Sequence, residues 1–259
     1  MCLADKTVII TGGGSGIGKE CARMFAESGA SVVIADWNEE EAQQVAAMIN
    51  DRYPKPNGPP RAIAVGTDVS KEKDVELMVA MTLETYAHID VLLNNAAVIM
   101  PKRLEDIEEA EFDKVIAVNL KGVFLVTKHS ILHLRRSKGT IINMASLNGL
   151  VGQQQNPIYS ATKGGIIAMT KSLALDFAAD GVRINCVCPA GVMTPLLQEW
   201  TQRQDDPAAT VQALNDMHPL GRPATPEEVA RAVLYLASHQ SAFITGTALL
   251  VDGGASLGY

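Results

Sequence analysis

The stretch "KTVIITGGGSGIG", residues 6–18, decides the fold. A short run of β-branched apolar residues, 6–11, ends in glycines. The chain then continues as "IGKECARMFAESG", with apolar residues at helical spacing. This order predicts a buried strand, a tight turn and a helix start. Gly12, Gly16 and Gly18 form G-x-x-x-G-x-G. Glycines let a backbone turn sharply and approach a ligand with no Cβ in the way. A helix N-terminus offers unpaired N–H groups and a partial positive charge, which suit a pyrophosphate. The spacing differs from G-x-G-x-x-G, and the Lys-Ser/Thr of a P-loop is absent. Alone, the loop also fits a purely structural glycine turn.

Working outward, apolar runs alternate with helical patterns. "SVVIAD" (31–36), "RAIAVGTD" (61–68), "IDVLLNNA" (89–96), "GTIINMAS" (139–146), "VRINCVC" (182–188) and "TALLVDG" (247–253) read as further strands. A helix is expected over roughly 38–52, and long ones around 112–137 and 157–179. The alternation predicts an α/β fold: one doubly wound, seven-stranded parallel sheet with helices on both faces. Nearly continuous apolar strands suit a sheet covered on both sides. "YPKPNGPP" (53–60) reads as an exposed loop. Residues 190–223 hold helical pieces but no strand, an excursion of the kind that serves as a substrate lid. Residues 1–259 read as a single domain.

The second strand ends at Asp36, eighteen residues after Gly18. A carboxylate there accepts hydrogen bonds from ribose hydroxyls and repels a ribose phosphate. Trp37 follows, and neither it nor Ser15 is basic. NAD is expected over NADP. The alternative for Asp36 is a strand-end or capping acid.

Composition narrows the partners. The 259 residues are 47% hydrophobic and 20% charged, with a net charge of −7. Nucleic acid and anionic membrane both call for concentrated positive charge, so neither is expected. No secretory signal is legible at the start, and no uncharged apolar stretch reads as a bilayer span. A cytoplasmic protein is expected. Cys2, Cys21, Cys186 and Cys188 lack disulfide or zinc spacing. Cys186 and Cys188 share one strand face and read as small buried hydrophobes. His129 and His133 have i, i+4 spacing but no further ligands, so no metal is expected. The acidic run "DIEEAEFD" (106–113) suits a solvated helix start.

Taken together, the pieces "TGGGSGIG" (11–18), "DV" (68–69), "NNAA" (94–97), "VNLKG" (118–122), "MAS" (144–146), "YSATK" (159–163) and "CPAGVMT" (188–194) resemble the short-chain dehydrogenase/reductase family. Their order and spacing match over almost the whole chain. The resemblance implies a catalytic tetrad of Asn119, Ser146, Tyr159 and Lys163. It implies cofactor contacts from Gly12, Ser15, Gly16, Ile17, Gly18, Asp36, Trp37, Asp68, Val69, Asn95, Ala96, Tyr159, Lys163, Pro189, Val192 and Thr194. Two departures are small: Ala97 and Ala190 stand where the family usually has Gly.

On a helix, Tyr159 and Lys163 lie on one face. A nearby ammonium stabilises a phenolate, so Lys163 is expected to lower the pKa of Tyr159 from about 10. Tyr159 then exchanges a proton with an alcohol or carbonyl as hydride passes to or from NAD. The family implies that Ser146 holds the substrate oxygen, that Lys163 binds ribose, and that Asn119 interrupts its helix and holds a relay water. Gln153, Gln155 and Trp200 are candidate substrate contacts, with Gln154, Met193, Leu196 and Leu197 nearby. "GQQQNPIYSATKG" and "HPLGRPATPEEV" resemble a subgroup of L-fucose and 17β-hydroxysteroid dehydrogenases. The expected substrate is an aldose oxidised at the anomeric carbon to a lactone. The alternatives are a hydroxysteroid or another bulky alcohol, and, more remotely, a non-catalytic NAD(H) sensor. By the same resemblance a homotetramer is expected, with "SLGY" reaching a neighbour's pocket.

Overall fold

The computed structural model describes residues 3–257. Its strands and helices run β1 (Thr7–Thr11), α1 (Gly16–Glu27), β2 (Ser31–Asp36), α2 (Glu39–Arg52), β3 (Ala62–Gly66), α3 (Glu72–Tyr86), β4 (Val91–Asn94), α4 (Glu109–Ile116), α5 (Gly122–Ser137), β5 (Thr140–Met144), α6 (Pro157–Phe177), β6 (Arg183–Pro189), α7 (Pro195–Gln202), α8 (Pro207–Asp216), α9 (Pro226–Ala237) and β7 (Ala248–Val251). The seven strands form one sheet in the order β3-β2-β1-β4-β5-β6-β7. Every pairing is parallel. The order reverses between β1 and β4, and ligands of such sheets bind at the carboxyl ends of the strands at that point.

Strand alternation divides the core. Val8, Ile10, Val32, Ile34 and Leu93 pack on one face with Phe25 of α1, Ile49 of α2 and Val233 of α9. Ile9, Val33, Leu92, Ile141 and Ile184 pack on the other with Met78 of α3 and Leu125 of α5. Both faces are apolar because both are covered, which is why β1 and β2 are buried at every position.

β3, β4, β5 and β7 are shorter than the apolar runs, by four residues at β4, because the run ends belong to the loops that carry the site, whereas β2 matches its run and β6 reaches Pro189. The excursion after β6 holds α7 and α8 and a single bridge, Val192 to Ala224. The continuous helical run Glu109–Ser137 is long and apolar enough to cross a bilayer by length and composition. Its apolar side is instead taken up by the sheet, with Val123, Leu125, Val126 and Leu134 buried.

Candidate active site

The glycine loop is built by close packing. Gly12 has φ of +64° and Gly16 of +52°, in the left-handed region. A Cβ on Gly18 would lie 2.0 Å from the Gly12 carbonyl oxygen. The Asn95 amide donates to the carbonyls of Thr11 (3.1 Å) and Gly12 (2.9 Å), tying the loop to the end of β4. Asn95 therefore shapes the loop with the amide expected beside the cofactor, and Ala96 packs against Gly12. Ser15 stands at the N-cap of α1 without a side-chain capping bond, and the first turn carries no acid. The first N–H groups of α1 are left for an anion. Thr194 reaches the same place: its Cγ2 is 3.5 Å from where a Gly16 Cβ would lie.

Asp36 is buried at the end of β2. Its carboxylate accepts from the amides of Gly14 (2.9 Å) and Asn38 (3.0 Å), which aims a negative charge at the glycine loop. Trp37 projects into solvent at 83% exposure. Asp68 accepts from the amide and hydroxyl of Ser70, and Val69 is buried against Gly122. Val192 is buried, Pro189 ends β6 beside Val251, and Thr194 caps α7 by accepting from Leu197. These groups fit a dinucleotide lying along the strand ends: a cradle clear of Cβ atoms, a free helix terminus and a carboxylate placed for ribose.

The four residues expected to form a tetrad come from three elements. Asn119 sits in a π-helical turn, Ala117–Lys121, between α4 and α5. Such wide turns recur at functional sites. The side chain is fully buried; Oδ1 accepts from the Val98 amide (2.8 Å) and Nδ2 donates to the Val98 carbonyl (2.9 Å). Nδ2 also lies 3.4 Å from the Thr162 hydroxyl, next to Lys163. We expect Asn119→Ala to lose about 1–3 kcal/mol in a urea melt, because the Val98 groups lose their partners. An unchanged midpoint and slope would argue against this clamp.

Ser146 follows β5 and is buried. Its Oγ accepts from the Asn148 amide at 3.2 Å and donates to the Pro189 carbonyl at 3.5 Å, and it is the neighbour that draws the Tyr159 pKa down. Lys163 is 2% exposed and donates to the Met144 carbonyl at 2.7 Å. Its Nζ sits over the Tyr159 ring, 5.4 Å from the centroid. This corrects the expectation for the phenol. Burial pushes the pKa of Tyr159 up, and the Ser146 hydrogen bond is what opposes it. Burial pulls Lys163 down to about 8. The ammonium points at a backbone carbonyl as well as the ring, so desolvation outweighs pairing.

A cavity of about 270 Å³ is lined by Leu147, Asn148 and Gln153, which follow Ser146 in the chain, and by Met217, Pro219 and Ala255; Ser146, Tyr159 and Lys163 are not among its walls. Gln153 is there as expected, but its carbonyl oxygen is engaged by the side-chain amides of Asn148 and Asn156. Gln155 and Trp200 are not among its walls. Gln155 is exposed and held at φ +59°, its carbonyl accepting from Lys102, so it shapes the turn before α6. Trp200 is 44% exposed on α7. The Leu196 side chain, Gly258 and Tyr259 lie outside the described residues. Asn148 lies in the segment between Ser146 and Tyr159, and Met217 and Pro219 in the 190–223 excursion, both expected at the substrate pocket, but the sequence does not single these residues out, and Ala255 is not expected there.

Cys186 and Cys188 are buried free thiols on one face of β6. His129 lies 2.9 Å from Glu72, with Glu76 close by, but Lys128 occupies the same Glu72 oxygen at 2.7 Å.

Sheet order, glycine cradle and the Ser–Tyr–Lys group define a nicotinamide-dependent oxidoreductase. The family model described as enoyl-(acyl carrier protein) reductase matches residues 12–256. The chain is 42% identical over 257 residues to the L-fucose dehydrogenase of Bos taurus, covering 99% of this chain and 91% of that one. It is 40% identical over 252 residues to the meso-2,3-butanediol dehydrogenase of Serratia marcescens, covering 97% and 95%. Among solved structures it resembles a 3-ketoacyl-(acyl-carrier-protein) reductase of Brucella melitensis complexed with NADH, at TM-score 0.86, 36% identity and coverage of 98% and 99%. It also resembles the ligand-free aldohexose dehydrogenase of Thermoplasma acidophilum, at TM-score 0.88, 31% identity and coverage of 99% and 96%. The chain belongs to the short-chain dehydrogenase/reductase family.

Proposed function

We propose that the protein is an NAD-dependent dehydrogenase that oxidises the anomeric hydroxyl of an L-fucose-like aldose to a lactone. The carrying observation is the grouping of Ser146, Tyr159 and Lys163, with the segment that follows Ser146 forming one wall of a cavity. Bound in the cradle, NAD supplies the hydride acceptor. Tyr159 takes the hydroxyl proton, Ser146 holds the substrate oxygen, and Lys163 shares the proton load of the pair. Asn119 fixes the Val98 segment against α6 through Thr162. The excursion with α7 and α8 forms the lid.

The relatives named for L-fucose and aldohexose support a sugar. A second reading, a small vicinal diol, is favoured by the butanediol dehydrogenase relative. Comparing kcat/KM for L-fucose, D-arabinose and 2,3-butanediol tests the choice; a diol preference over tenfold overturns the aldose reading.

The carboxylate of Asp36 sets the cofactor. Asp36→Asn keeps the shape and removes the charge, so the NADP-to-NAD ratio of kcat/KM should rise by about tenfold or more. An unchanged ratio would remove Asp36 from cofactor choice.

The site should also show in a pH profile. With Lys163 pulled down to about 8 and Tyr159 pushed up, the first proton to leave the pair on raising pH departs near 8. With Lys163 neutral, the phenol passes its proton to Nζ as Tyr159 takes the alcohol proton, so the pair gains one proton in all. Oxidation should therefore rise about tenfold per pH unit below 8 and level above it, and carbonyl reduction should fall. A flat profile between pH 6 and 9 contradicts this.

Assembly follows the outer helix faces. Phe124 and Leu132 of α5 and Leu175 of α6 are exposed, as are Leu250 of β7 and Phe243 before it. These two surfaces suit a homotetramer built from copies of this chain. The buried free thiols of Cys21, Cys186 and Cys188 suit the reducing cytoplasm.

A further inference from the structure

We propose that His218 is a positioning residue that clamps the wall of the substrate cavity to the loop after β6; this rests on reading that cavity as the substrate site. His218 is 3% exposed, two residues beyond the end of α8. Nδ1 lies 2.7 Å from the Leu214 carbonyl, which only accepts, so Nδ1 carries the proton. Nε2 accepts from the Gly191 amide at 3.2 Å. The two partners fix one tautomer, and the ring becomes a bridge between α8 and the loop holding Val192 and Thr194.

Packing reinforces the bridge. A Cβ on Gly191 would lie 3.0 Å from His218 Cε1, and one on Gly253 would lie 3.5 Å from His218 Cβ. Three segments therefore meet at one imidazole: the end of α8, the loop after β6 and the C-terminal turn. The residues on either side of His218, Met217 and Pro219, line the cavity. Leu220 donates to the Gly253 carbonyl at 3.1 Å, and Ala224 to the Gly191 carbonyl at 2.9 Å, so the same segment is pinned again just downstream. Loss of the ring leaves the cavity wall free to shift against the loop, without touching Ser146, Tyr159 or Lys163.

The test compares wild type, His218→Ala, His218→Gln, Gly191→Ala and the double variant His218→Ala/Gly191→Ala. Two readouts are taken: hydrogen exchange of residues 190–217 in the cofactor-free chain, and kinetics with NAD and L-fucose. In His218→Ala, exchange in that segment should speed up about tenfold while the sheet strands stay protected. The KM for sugar should rise about tenfold with kcat within about threefold. His218→Gln, which retains an acceptor, should recover part of both effects. Gly191→Ala should mimic His218→Ala and add nothing to it in the double variant. Unchanged exchange in His218→Ala, a loss confined to kcat, or full additivity in the double variant would overturn the clamp. Should His218→Ala fail to fold, His218→Gln and Gly191→Ala carry the same comparison. If the wild type oxidises no aldose, the substrate reading fails, and the exchange rates alone decide the clamp.

Discussion

Replacing Tyr159 with Phe should lower turnover with NAD and L-fucose by about 10²–10⁴-fold, the range of general acid–base catalysis. NADH should still bind, because the phenol hydroxyl is no part of the glycine cradle or of the Asp36 contacts. Folding should be intact, since the ring stays between Ser146 and Lys163 and only one oxygen is lost. Ser146→Ala should fall less, since it removes the partner that holds the oxygen and leaves the base in place. The measurement is a single-turnover rate beside an NADH fluorescence titration. Near-normal turnover in Tyr159→Phe would remove Tyr159 from the chemistry.

Gly18→Ala should nearly abolish dinucleotide binding, weakening it by about 100-fold or more. The added methyl would sit 2.0 Å from the Gly12 carbonyl oxygen and 2.7 Å from Asn95 Nδ2. Neither neighbour has room to give: the carbonyl is backbone, and the Asn95 amide is held by that carbonyl and by Thr11. The loop must therefore open, and with it the approach of backbone to pyrophosphate. Overpacking of this kind costs about 1–3 kcal/mol, so a lower melting temperature should accompany the loss. Gly152 is the control, because a Cβ there meets nothing within 4 Å. Equal NADH affinity in Gly18→Ala and wild type would contradict the cradle.

Much of the fold is written in local pattern. β1 and β2 are buried at every position, so their apolar runs are unbroken and their bounds are legible to within a residue. Asp36 is legible because it ends such a run. The site is legible only where chemistry sits in a motif, as with Tyr159 and Lys163 on one helix. The clamp of Asn119 on Val98 is not, since it depends on a π-turn that spacing does not signal. Nor are the cavity walls, because Asn148, Met217 and Ala255 converge through topology from three distant segments. Gln153 shows the limit most plainly. Its type suggests a substrate contact, but two neighbouring amides use its oxygen first. The order of protonation in the Tyr–Lys pair is likewise set by burial, which a sequence shows only indirectly.

The most direct test of the central claim is the initial rate of NADH formation when L-fucose is added to the purified protein with NAD, alongside an NADH binding titration. The account predicts a saturable rate on the order of 1–10³ s⁻¹, typical of enzymes. Intact NADH binding with no NADH formed from L-fucose or other aldoses would contradict it.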